Sequence, residues 1–142
     1  MSRMNLPQDL QHFPHAALVV TADNVSAKFF IVHEEQLEEF EGISMPHERS
    51  TDSEGPWIFD ENDKERAHAF VHAIDERIHA IMAEHPVHLV HLVMPAEIEH
   101  AVTAHLPAEV TSHIGKKLHV NVMKESHLDV LRRIVAALGT AE

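Results

Sequence analysis

"AALVVTADNVSAKFFIV", Ala16 to Val32, is the stretch on which the fold turns. Two short runs rich in β-branched and aromatic residues, Ala16–Ala22 and Val25–Val32, meet at Asp23-Asn24, a pair suited to a tight turn. The pattern predicts a β-hairpin. Immediately downstream, "QLEEFEGIS" (Gln36–Ser44) has the length and position of a third strand, and its acidic side chains suit a charged sheet edge.

The remainder alternates helix and strand signals. Ala67, Phe70, Val71, Ile74, Ile78 and Ile81 fall on one side of a helical wheel that starts at Asn62 and stops at His85-Pro86. "VHLVHLV" (Val87–Val93) is apolar on both strand faces apart from His88 and His91, as in a strand covered by helices on both sides and placed mid-sheet. Pro95 opens a helix that Pro107 divides in two before Gly115, and "LHVNV" (Leu118–Val122) alternates as a half-covered edge strand should. Ser126 and Asp129 then cap a last helix whose buried stripe is Leu128, Leu131, Ile134, Val135 and Leu138. The expected order is β-β-β-α-β-α-β-α: one α/β domain over residues 1–142, with a mixed five-stranded sheet and residues 1–15 as an extension.

Composition narrows the function. A chain of 142 residues with 44% hydrophobic content fits one domain, and no run of about 18 uncharged apolar residues exists to span a membrane. Cysteine is absent, which removes disulfides, thiolate metal sites and thiol nucleophiles and fits a cytoplasmic protein. Eleven Lys and Arg against twenty-three Asp and Glu oppose binding to nucleic acid unless the basic residues are gathered locally. Fifteen histidines, fully protonated, would carry the net charge from −12 to +3, so acidification acts strongly on this chain.

Two regions stand out as candidate sites. Met45–Phe70, "MPHERSTDSEGPWIFDENDKERAHAF", reads as a long loop (45–62) entering the first helix, and long loops inside compact domains usually serve function. Its centre sets Asp52, Glu54 and Gly55 beside the only tryptophan, Trp57, with Ile58 and Phe59; such a cluster folds back on the domain, anchors a partner or builds a homo-oligomer. On the helix, His68, His72, Asp75 and His79 share the face opposite the apolar stripe, and His68 with His72 has the i, i+4 spacing that can grip one ion. With so many histidines one such pair arises by chance, so adventitious Zn²⁺ or Ni²⁺ is the expectation and no cofactor is assigned. His88 and His91 point to opposite strand faces and cannot easily share an ion. No nucleophile elbow or phosphate-cradling glycine loop is present.

The element order, with "ALVVTADNVSAKFFIV", "FEGISMPHERSTDSEG", "ERAHAFVHAIDERIHAI", "VHLVHLVMPAEIEHAVTAHL" and "LHVNVMKESHLDVLRRI", resembles the middle domain of the eukaryotic and archaeal class-1 release factors and Pelota. It is more closely similar to their small bacterial relatives, often called host attachment proteins. The resemblance implies a ribonuclease H-like sheet and association with the ribosome or its RNA. In release factors the loop after the third strand carries Gly-Gly-Gln, which supports peptidyl-tRNA hydrolysis. Here the corresponding stretch, "TDSEGPWIFDENDKE", has Gly55 alone, and the chain's glutamines are Gln8, Gln11 and Gln36. A non-catalytic binding module is therefore expected. The alternatives are a hydrolase of tRNA or other nucleic acid using Asp23, Asp52 and Glu54, which lacks an evident carboxylate cluster for two-metal chemistry, and a histidine-rich metal- or pH-responsive protein.

Overall fold

The computed structural model describes residues 2–10, 13–23, 26–44 and 61–139. Its elements are β1 (Ser2–Asn5), a 3-10 turn at Gln8–Leu10, β2 (Ala17–Ala22), β3 (Ser26–His33), β4 (Gln36–Ser44), α1 (Glu61–Glu84), β5 (Leu89–Val93), α2 (Ala96–His105), α3 (Ala108–Thr111), β6 (Ile114–Leu118) and α4 (His127–Gly139). Six strands form one sheet in the order β1-β4-β3-β2-β5-β6. The first four are antiparallel neighbours, whereas β2, β5 and β6 run parallel, joined by helical crossovers.

The expected hairpin is present, with Ala22 opposite Ala27. Asp23 closes it: its Oδ1 accepts the Ser26 backbone N–H at 2.8 Å, and its own N–H donates to the Ser26 carbonyl at 2.9 Å. Every residue of β2 is buried because both sheet faces are covered. Leu18, Val20, Phe29, Val90 and Leu92 join Phe70, Ile74 and Ile78 of α1 and Ile98 and Val102 of α2 in one core. Val19, Phe30, Val32 and Val93 meet Val130, Leu131 and Ile134 of α4 in the other.

Three expectations are corrected. The sheet has six strands, not five: the first residues add β1, a short polar strand without hydrophobic alternation, and Leu6, Leu10 and Phe13 then anchor that segment in the α4-side core. Strand β4 is consequently interior, flanked by β1 and β3, and β5 lies one place from the other edge. The last strand is Ile114–Leu118, four residues earlier than the alternation of Leu118–Val122 suggested. A short link from α3 brings the chain to β5 at once, with Val90 N–H bonded to the His113 carbonyl and Met94 N–H to that of Leu118. Val120 and Val122 pack toward α4 without pairing, so their alternation reports burial, not a ladder.

A register shift between Ala27 and Phe29 lies opposite Gly42. A Cβ at Gly42 would sit 2.7 Å from the Ala27 carbonyl oxygen, a backbone atom pinned inside the sheet. Gly42→Ala is therefore expected to destabilise the protein by about 1–3 kcal/mol in urea unfolding, as forced overpacking does.

Candidate functional site

The strand registers place Ala22, Ser44, Val93 and Leu118 at one end of the sheet. In open α/β sheets, ligand sites favour the carboxyl ends of the parallel strands. Here the end of β5 leads into α2, whose first turn carries Glu99, and β6 delivers Lys117 and then His119.

Glu99 is 1% exposed, a buried carboxylate in an otherwise apolar helix face with Ile98 and Val102. Its Oε1 lies 2.8 Å from His119 Nε2 and 3.6 Å from His100 Nε2. Its Oε2 lies 3.1 Å from the Thr103 hydroxyl and 3.4 Å from Lys117 Nζ. Burial alone pushes this carboxyl up, but the bonds from His119 and Thr103 and the charge of Lys117 outweigh it and hold Glu99 below its ordinary range. The carboxylate is thus kept ionised and oriented, while His119 and Lys117 remain about half exposed. Glu99→Ala removes the acceptor shared by these groups and leaves a cavity, for an expected loss of about 2–4 kcal/mol measured by urea unfolding at pH 7.

Beside this cluster, Lys117, Leu118, His119 and Val120 face Arg133 and Ala136 of α4 across a shallow groove of about 360 Å³. The segment Lys116–Arg133 holds five of the chain's eleven Lys and Arg against two acids, Glu125 and Asp129. Arg133 is bidentate to Glu125 at 2.7 and 2.9 Å, and Arg132 contacts Asp129 at 3.2 Å. The Arg132–Asp129 pair is exposed, and the bidentate Arg133–Glu125 pair is the firmer of the two.

The residues singled out in the sequence are distributed differently. Asp52, Glu54, Gly55, Trp57 and Phe59 lie outside the described residues. His68, His72 and His79 each face a separate neighbour: the His68 ring stands 6.3 Å from that of His105, His72 bonds Glu76 at 3.1 Å, and His79 approaches Glu109 at 3.7 Å. Asp75, read as part of that open face, is buried. Asp23 is engaged in the hairpin turn. The sequence does not set Glu99 apart, because Glu97 and Glu99 look alike as acids of a helix first turn; the burial of Ile98, Glu99 and Val102 together is the distinguishing signal.

The sequence model of bacterial archaeo-eukaryotic release factor family 10 matches residues 9–138. The chain belongs to this family. No curated protein matches the chain. Among solved structures, the crystal structure of the archaeal translation termination factor aRF1 is 12% identical with a TM-score of 0.52, covering 87% of this family-10 chain and 39% of its own. Another, described as an archaeal protein, is 13% identical with a TM-score of 0.49, covering 87% and 38%. This chain thus spans about two-fifths of the length of those structures, and identities this low speak to the fold alone. No helix among the described residues is long and apolar enough to cross a membrane.

Proposed function

We propose that this protein is a non-catalytic release-factor-like module that binds RNA of the translation apparatus through the groove between β6 and α4. The observation that carries the reading is the gathering of Lys117, His119 and Arg133 around one groove in a chain whose net charge is −12. An acidic protein repels phosphate broadly, and Lys117 and Arg133, paired with Glu99 and Glu125 but still about half exposed, make this groove the face where phosphate meets basic side chains. Membership of a release-factor family supports a partner in the translation apparatus. The lack of glutamine anywhere after Gln36 argues against peptidyl-tRNA hydrolysis by the family's loop chemistry.

Fluorescence anisotropy with a labelled RNA hairpin over a salt series tests this reading. With two or three phosphates engaged, log K against log [salt] is expected to slope at about −2 to −3, and Lys117→Ala to reduce that slope by about one. Incubation with peptidyl-tRNA is expected to release no peptide. Binding that ignores salt and the Lys117 substitution, or release of peptide, overturns the reading.

A further inference from the structure

We propose that Glu99, His100 and His119 form a divalent transition-metal site, suited to Zn²⁺, at the carboxyl end of the parallel strands. The ligand atoms of these three residues all lie within 4.8 Å of one another. Around a tetrahedral Zn²⁺ with bonds of about 2.0–2.1 Å, ligand atoms stand about 3.3–3.4 Å apart. The separations from Glu99 Oε1 to the two Nε2 atoms, 2.8 and 3.6 Å, bracket that value. A bound ion would replace the His119–Glu99 hydrogen bond, the two exposed imidazoles turning toward it while Glu99 is held by its other contacts.

What makes this more than three neighbouring side chains is the division of labour at the carboxylate. Oε2 is occupied by Thr103 and Lys117, so Oε1 is the oxygen turned toward both imidazoles. Of the two, Thr103 is the neutral outer partner of the kind that commonly fixes a metal-binding carboxylate in metalloproteins. Two histidines and one glutamate are also a recognised three-ligand zinc set that leaves a fourth position for water or a ligand. His100, with a side chain 72% exposed, puts that position at the surface, beside the groove of Lys117 and Arg133. The set is distinct from His68, His72 and His79, which have separate partners.

Lys117 is the built-in opponent. Its ammonium, 3.4 Å from Glu99 Oε2, repels a cation bound at Oε1. Removing it should tighten metal binding, whereas removing a ligand should weaken it; a merely structural salt-bridge cluster predicts neither.

Isothermal titration of untagged protein with Zn²⁺, and visible absorption with Co²⁺, test the site. The expected result is one tight Zn²⁺ per chain and tetrahedral Co²⁺ bands. His100→Ala and His119→Ala should each weaken binding more than about tenfold, a loss that even outer-sphere substitutions can produce. His100→Ala is largely exposed and should fold normally, and Lys117→Met should tighten binding several-fold. Unchanged affinity and stoichiometry in the His100→Ala/His119→Ala double variant, or no tight site in the wild type, overturns the proposal.

Discussion

Replacing Asp75 with asparagine is expected to stabilise the protein by about 2–3 kcal/mol above pH 6 and to leave it unchanged near pH 4. Asp75 lies on α1, 8% exposed, and neither carboxylate oxygen has a hydrogen-bond partner among the described residues. Burial raises its pKa from 3.8 to about 6, against the opposing charges of His105 and His72. A carboxylate charged in that position costs free energy, and a neutral isostere does not carry the cost. The sign follows from proton counting: between pH 3.8 and about 6 the folded state holds the extra proton. The Asp75 contribution to stability therefore falls as pH rises through that window and is flat above it. Urea unfolding across pH 4–8 checks this, and an asparagine variant less stable than wild type at neutral pH contradicts it.

His91 is expected to act in the opposite direction with similar size. Its ring is fully buried, its Nδ1 accepts the Lys116 backbone N–H at 3.0 Å, and its Nε2 has no partner among the described residues. Burial, with the nearby charge of Lys116, lowers its pKa from 6.5 to about 4. The unfolded chain binds the extra proton here, so about 3 kcal/mol of stability is lost as pH falls from about 6.5 to 4. His91→Asn keeps an acceptor for the Lys116 N–H and removes the titration. The variant is expected to be less stable at pH 7, through lost packing, but to show a shallower loss on acidification. In the wild type the two groups oppose each other between pH 4 and 6, so its slope there is expected to lie between those of the two variants. Asp75→Asn should expose the steep acid loss, and His91→Asn the opposite slope. Parallel profiles for all three proteins would show that neither group titrates as described.

The ring of His91 also explains Gly115. A Cβ there would lie 2.8 Å from Cε1 and 2.9 Å from Nδ1 of that ring, which cannot move aside. The sequence suggested only a helix stop at Gly115; in the structure the residue makes room for an imidazole beneath an edge strand. The hairpin, α1, the Pro95 and Pro107 breaks and α4 were legible because turn chemistry, prolines and apolar stripes act locally. For α4 even the cap agrees, with Asp129 N–H donating to Ser126 Oγ at 3.2 Å. Strand β1 was not legible, because pairing with β4 depends on an available edge and not on its own pattern. Asp75 looked like a surface residue because α1 presents one stripe to the sheet, whereas α2 covers a second flank of the same helix. Glu99 and His119 are twenty residues apart, and only the β5-α2-α3-β6 crossover brings them within 2.8 Å.

If the β6–α4 groove meets translational RNA, as proposed, its basic side chains should govern ribosome binding. Cosedimentation with purified ribosomes at low and high salt, comparing wild type with a Lys117→Glu/Arg133→Glu variant whose folding is confirmed by circular dichroism, tests it most directly. Wild type is expected to pellet with ribosomes at low salt and to be released by high salt, while the charge-reversed variant stays in the supernatant throughout. Equal pelleting of the two proteins, or absence of both from the pellet at low salt, would contradict it.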